Sequence, residues 1–283
     1  MTRPDPRYPE HPEDLRLVVA DMDGTLLDDA GGTPAGFTAL LRRMHAAGVV
    51  FVPASGRQLA TLRHMFDDAA VPVDTYIAEN GNVVAHRGAV VDSAAIDPAA
   101  VAAIIDAVRA ANAAGADITL VRCHADRAYA ERLPEGVAAE LAKYYRNHAV
   151  VDDLHALAGA VVKLAAYEPV DAEARALPIL AAAAPANLRT VVSGAHWVDM
   201  MDPARTKGTA VAALRDRLGV APSAVAIFGD YLNDLEMMAE GELSFAMANA
   251  HPEILAAANY VAPANDRAGV VVAVNRLLDR LGR

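Results

Sequence analysis

The chain has 283 residues, a length that accommodates two domains or one large α/β domain. Its 54% hydrophobic and 22% charged residues supply a sizeable core and exclude a disordered chain, and a net charge of −11 excludes a general electrostatic grip on nucleic acid or an anionic membrane. The single cysteine, Cys123, excludes an internal disulfide and any multi-cysteine metal cluster.

The N-terminal MTRPDPRYPEHPEDL is rich in proline and charge and lacks the apolar stretch of a signal peptide, and no run of about eighteen apolar residues follows it. These features predict a cytoplasmic protein whose first dozen residues form a loose arm. Leu15–Ala20 reads as a buried strand, Pro34–Ala47 as a helix ending before Gly48, and Val49–Pro53 as a second strand. A helix over about Arg57–Ala69 and a strand at Thr75–Ala78 follow. From 93 to 202 the texture changes. Two Ala-rich helices (Pro98–Ala114, Asp171–Ala184), a shorter one near Glu135–His148, and strands near 117–122, 160–167, 188–193 and 196–201 are expected there. The first rhythm then returns, with a helix at Lys207–Leu218, a strand at Ala224–Phe228, a helix near Asn233–Ala239, a strand at Leu243–Ala246 and a last helix at Ala268–Leu281. Strands alternating with helices predict an α/β class and a parallel sheet covered on its faces. Residues 1–92 and 203–283 would form this core, with 93–202 inserted as a second domain.

The strongest chemical signal is Asp21-Met22-Asp23-Gly24-Thr25, directly after the first strand. In an extended chain, side chains two apart share a face, so Asp21 and Asp23 can enter one crevice at the carboxyl end of a parallel strand, where open α/β sheets bind ligands. Two carboxylates this close repel unless a cation bridges them or one is protonated, and a hard divalent ion such as Mg²⁺ resolves the conflict. An Asp-rich turn that merely ends a strand is the plain alternative. An EF-hand calcium loop is excluded, because its sixth and twelfth positions need Gly and Glu and are here Leu26 and Gly32.

Three further features support chemistry. Ala54-Ser55-Gly56-Arg57 places a hydroxyl and a glycine at a helix start, where free N–H groups can receive a phosphate, although Ser is also an ordinary helix cap. Lys207-Gly208 opens a helix, a position where a cation suggests a nearby anion. Gly229-Asp230-Tyr231-Leu232-Asn233-Asp234 follows the apolar AVAIF and presents two more carboxylates at a strand end.

In this order the four features resemble the motifs of the haloacid dehalogenase superfamily of phosphohydrolases: DMDGTLLD (21–28), Ser55 in ASGR, Lys207 in TKG and GDYLND (229–234). AENGN (78–82) and AMANAHPEI (246–254) resemble stretches of its Cof-like subgroup, whose members carry a large α/β cap. The resemblance implies a Rossmann-like three-layer core. The 149 residues between Arg57 and Lys207, against 29 positions from Thr25 to Ala54, put the cap in the second interval.

It also implies roles. Asp21 would be the nucleophile that forms an aspartyl-phosphate, and Asp23 the general acid and base. Mg²⁺ would be held by the Asp21 carboxylate, the main-chain carbonyl of Asp23, and Asp230, with Asp234 supporting. Ser55 and Lys207 would grip the phosphoryl oxygens, while Thr25, Gly56, Arg57, Asn80 and Asn233 are candidates to line the phosphate and substrate. Asn249 is a candidate to support the loop after the AVAIF strand. In the cap, Arg122, His124, Lys163, His196 and Trp197 are candidate substrate contacts, with ordinary packing as the alternative for each.

An Asp at position 23, where P-type ion pumps of the superfamily carry Lys, favours hydrolysis. The expectation is a Mg²⁺-dependent phosphatase acting on a small phosphomonoester, such as a sugar phosphate or a phosphorylated cofactor, with no nucleic-acid or membrane partner. A sugar phosphomutase and a non-catalytic phosphate or metal sensor are the rivals. A receiver domain is too compact for the 186 positions from Asp21 to Lys207.

Overall fold

The computed structural model describes residues 14–69, 71–134 and 136–283. The anticipated N-terminal arm lies outside them, as does Glu135 at the start of one anticipated helix. The chain begins β1 (Leu17–Asp21), α1 (Phe37–Ala46), β2 (Val50–Ala54), α2 (Leu59–Met65), β3 (Tyr76–Ala78), β4 (Val83–His86) and β5 (Ala89–Ser93). It continues through α3 (Pro98–Ala113), β6 (Thr119–Cys123), β7 (Ala128–Ala130), α4 (Val137–Tyr144), β8 (His148–Val150), β9 (Lys163–Tyr167), α5 (Ala172–Arg175), α6 (Leu177–Ala183), β10 (Arg189–Gly194) and β11 (Trp197–Met201). It ends with α7 (Lys207–Leu218), β12 (Val225–Gly229), α8 (Leu235–Met238), β13 (Leu243–Met247), α9 (Pro252–Ala257), β14 (Tyr260–Ala262) and α10 (Gly269–Arg280).

Two compact units result. The first takes the chain through Gly56, Met65–Ala89 and Thr206–Arg283; the second takes Arg57–His64 and Val90–Arg205. The first is a Rossmann-like three-layer core. Its strands run β14-β13-β12-β1-β2-β3-β4, parallel except for the antiparallel β3–β4 hairpin, and the chain leaves along β5. All of β1 (LVVAD) and β12 (VAIFG) is buried, as expected of parallel strands covered on both faces. Helix α1 packs on α10, and α7, α8 and α9 pack in series as a second helical group. The rings of Phe228 and Phe245 stack at 4.8 Å, and Phe37, Phe51 and Phe66 form an edge-to-face chain that continues to Tyr76 through a tilted contact. Each such buried side chain contributes roughly 1.5–3 kcal/mol.

Register positions the chemistry. Asp21 lies opposite Ala54 on β2, and Ala20 lies opposite Phe228 on β12. The chain proceeds from β1 to β2 on one side and brings β12 to the other, so the strand order reverses beside β1. A crevice at the carboxyl ends of the strands is the geometric consequence.

The second unit is an α/β domain with a mostly antiparallel sheet, β10-β11-β9-β6-β7-β8, in which only β7–β8 is parallel. Ile104 and Ile105 of α3 and Leu180 of α6 share a buried cluster with Leu164, Ala166, Val198 and Met200 from one face of the sheet.

The structure departs from the sequence reading in several places. Arg57–His64, expected in the core, belongs with the second unit. The Gln58 side chain pairs with Asn147 like a strand, Nε2 donating to its carbonyl (3.0 Å) and Oε1 accepting from its N–H (2.9 Å). Thr61 Oγ1 likewise donates to the Tyr144 carbonyl at 2.9 Å. The expected helix over Asp171–Ala184 is two, α5 and α6, broken just before Pro178 at the second position of α6; proline lacks the N–H that would bond the carbonyl four residues back in a continuous helix. The helix expected near Asn233–Ala239 is a 3₁₀ turn, Leu232–Asp234, followed by the four residues of α8.

Candidate active site

The turn after β1 spans Met22–Leu26 and depends on Gly24, whose φ of +78° is left-handed. A Cβ there would run into the Asp230 carboxylate, so only glycine lets the loops after β1 and β12 approach. Thr25, buried beneath the turn, donates Oγ1 to Asp230 Oδ1 at 2.9 Å. Asp23 is exposed and lines an open cleft with Asp28, Asp29 and Asp266.

Lys207 enters from the first turn of α7. Thr206 caps this helix, accepting from Thr209 N–H while Thr209 Oγ1 accepts from Thr206 N–H. The lysine side chain is fully buried and donates to Asp21 Oδ1 and, at 2.7 Å, to Asp234 Oδ1. Asp234 Oδ2 accepts from the backbone N–H groups of Asp230 (2.9 Å) and Tyr231 (3.2 Å). One buried carboxylate thus fixes both the lysine and the loop that presents Asp230.

The electrostatics follow from this packing. Burial alone would lower the Lys207 pKa, but Asp21 and Asp234 together raise it, so the ammonium persists. Burial pushes the Asp21 carboxyl up, Lys207 opposes, and Asp234 and Asp230 add repulsion. Asp230 is raised to about 6, mainly by burial, with the Thr25 hydrogen bond opposing.

On the β2 side, Ser55 is buried and its carbonyl accepts from Asn80 N–H at 3.0 Å. Asn80 adopts a positive φ of 55°, packs against the Cα of Gly56 and accepts from Asn233 Nδ2 at 3.2 Å. Ser55, Gly56, Asn80 and Asn233 thereby share the sheet edge with Asp21, Thr25, Lys207, Asp230 and Asp234. Arg57 instead donates to the Lys143 carbonyl (3.0 Å) and lies over the Tyr144 ring, both within the second unit.

The other candidates of the second unit also make internal contacts. Arg122 clips the Leu154, Leu157 and Gly159 carbonyls, and His124 packs on Tyr129. Lys163 pairs with Asp199 at 3.7 Å, His196 packs on Tyr167, and Trp197 is buried among Tyr144, Tyr145 and Tyr167. Asn249, expected beside the loop after β12, holds the turn after β1 instead, through the Gly24 carbonyl. Asn265 was not singled out from sequence, and its isolated position in PANDR gives no pattern that could have found it.

Carboxylate oxygens of Asp21, Asp230 and Asp234 lie within 4.8 Å of one another. Hard oxygen donors this close suit a divalent ion such as Mg²⁺, and the raised pKa values of Asp21 and Asp230 reflect burial first, with repulsion from neighbouring carboxylates, Asp234 among them for both, adding to it. Both Asp234 oxygens already accept hydrogen bonds, which leaves Asp21 and Asp230 as the better-placed ligands. Asp23 stands outside this carboxylate cluster.

Among the described residues, no helix is long and apolar enough to cross a membrane. The family model for haloacid dehalogenase-like hydrolases matches residues 18–274. The 5-amino-6-(5-phospho-D-ribitylamino)uracil phosphatase YbjI of Escherichia coli strain K12 is 28% identical over 266 residues, spanning 93% of this chain and 96% of that protein. The HMP-PP phosphatase of Enterobacter sp. strain 638 is 24% identical over 246 residues, spanning 85% and 87%. A solved haloacid dehalogenase-like hydrolase from Bacteroides thetaiotaomicron shares the fold, with a TM-score of 0.83 at 19% identity over 93% of this chain and 100% of that one. Because the family match runs through both units, the chain belongs to the haloacid dehalogenase-like hydrolases, as a phosphoric monoester hydrolase acting on phosphorylated metabolites.

Proposed function

We propose that this enzyme is a Mg²⁺-dependent phosphatase that works through an aspartyl-phosphate on Asp21. The observation that carries the reading is the fully buried Lys207 ammonium held between Asp21 and Asp234, with Asp230 alongside. A cation so placed opposes the protonation of Asp21 that burial favours and orients its carboxyl, and it supplies positive charge where phosphoryl oxygens would arrive, in a protein of net charge −11.

The chemistry divides into two displacements. An Asp21 carboxylate oxygen attacks phosphorus, the bond to the leaving oxygen breaks, and Asp23 gives that oxygen its proton. Asp23 then takes a proton from water, which attacks the acyl phosphate, releases inorganic phosphate and regenerates Asp21. Ser55 and Lys207 hold the phosphoryl oxygens through both steps, and Gly56, Asn80 and Asn233 line the approach. Mg²⁺ held by Asp21, the Asp23 carbonyl and Asp230 would supply charge neutralisation for the transferring group. Thr25 and Asp234 keep Asp230 in place through their hydrogen bonds.

The substrates are small phosphorylated metabolites, sugar phosphates or phosphorylated cofactors and their precursors. The two named relatives support this, one acting on a phosphoribitylamino-uracil and the other named for HMP-PP. The test is phosphate release from such a panel with and without Mg²⁺, using wild type and Asp21→Asn. Abolished release in the folded variant supports the nucleophile, whereas near-normal turnover removes it. Isomerised sugar phosphate with little free phosphate would make the enzyme a mutase.

A further inference from the structure

The turn bearing Asp23 is not held by β1 alone. Asn249, two residues beyond β13, donates Nδ2 to the Gly24 carbonyl at 2.8 Å, and its Oδ1 accepts from Asn265 N–H at 3.1 Å. Asn265, buried beyond β14, in turn donates Nδ2 to the Leu27 carbonyl (3.0 Å) and to Asp29 Oδ1 (3.1 Å). Two asparagines from neighbouring connections thus tie down the middle of the turn and the chain just beyond its end.

The arrangement is directional. Rotating the Asn249 amide by half a turn would set oxygen against the Gly24 carbonyl and NH₂ against the Asn265 N–H, so one orientation alone satisfies both contacts. The anchor also falls where the backbone most needs one. Gly24 has no Cβ and sits at φ +78°, so the peptide linking it to Thr25 has little intrinsic resistance to rotation. Asn249 is exposed and fills no core volume, so packing does not account for its contacts.

We infer that Asn249 is a positioning residue of the phosphatase reaction. By fixing the Gly24 carbonyl it sets the direction in which the Asp23 carboxylate and Thr25 hydroxyl leave the turn. The inference rests on the proposed assignment of the catalytic carboxylates to this loop.

The test compares Asn249→Ala and Asn249→Asp with wild type and Asp21→Asn, using p-nitrophenyl phosphate turnover, thermal unfolding and hydrogen exchange of the 22–29 segment. Misplacing a reacting group by about 1 Å costs about 100-fold. The expected result is a kcat lowered by about 10- to 100-fold with KM within about threefold, thermal stability near wild type, and faster exchange in 22–29. Asn249→Asp should be the worse variant, because it keeps the acceptor for Asn265 but sets a carboxylate against the Gly24 carbonyl. Wild-type kcat in both variants overturns the inference. So does a kcat loss that only tracks lost thermal stability, with Asp no worse than Ala. Turnover retained by Asp21→Asn would remove the catalytic reading of the loop itself. A dead Asp21→Asn beside an unimpaired Asn249→Asp would remove only the positioning role.

Discussion

Replacing Lys207 with Met isolates the charge at the centre of the site, since methionine fills a similar volume without an ammonium. Wild type pairs the lysine with two carboxylates, all three nearly or completely excluded from solvent. Removing one partner from a buried pair costs about 3–5 kcal/mol, because the remaining charge stays desolvated and uncompensated. Here two carboxylates are left, so the upper part of that range is expected at pH 8 in metal-free buffer. The pH dependence has a definite sign. Burial already raises the Asp21 pKa and Lys207 is the main opposing influence, so the variant's folded state should bind protons still more readily. A carboxyl whose folded pKa is raised loses its contribution to stability as pH climbs through that value, so the penalty should shrink towards pH 5.5, by about 1.4 kcal/mol per unit of added rise. Urea unfolding followed by far-UV circular dichroism at both pH values measures it. The fluorescence of Trp197, the only tryptophan, reports the second unit in parallel. A penalty below about 1 kcal/mol, or one equal at the two pH values, would refute the reasoning.

Further outcomes follow from the same geometry. Asp230, raised to about 6, must lose its proton to serve as a ligand, so Mg²⁺ affinity should fall as pH drops below 6, towards tenfold per unit, and calorimetric titrations that stay flat from pH 5 to 7.5 would contradict this. Gly24→Ala must tolerate a left-handed backbone and a clash with Asp230, and should cost about 1–3 kcal/mol and most of the turnover, measured by thermal unfolding and phosphate release. Phe228→Ala opens a cavity against Phe245 at a fully buried position, with an expected loss of about 3–5 kcal/mol in denaturant titration. Removal of divalent metal with a chelator should stop phosphate release and leave the secondary structure intact.

The α/β class and the strand-end placement of the acidic motifs were legible because β1 and β12 are unbroken apolar runs that stop at an aspartate or a glycine. Lys207 and Asp21 are 186 positions apart, yet each sits at an element boundary, and the topology of an open sheet brings such boundaries to one edge. Other features were hidden for physical reasons. The contacts that join Arg57–His64 to the second unit include a glutamine side chain imitating a strand, which no hydrophobic period records. Strands of three or four residues, such as β4, β7 and β14, are too short to show alternation. The asparagine brace uses Asn265 in a loop without pattern, where only geometry reveals that its amide reaches back to Leu27.

The pairing of Leu17 with Val225 has a consequence for biosynthesis. As the polypeptide leaves the ribosome, β1 emerges long before its neighbour β12, and everything from Val90 to Arg205 is made in the interval. The later-made half of the sheet must therefore dock onto a nascent chain that already carries the intervening domain. Ribosome stalling within that interval would strand β1 with one hydrogen-bonding edge open and invite chaperone capture or self-association. The buried ion cluster, the least tolerable arrangement if left incomplete, cannot assemble until Asp234 has been made, after the whole of that interval.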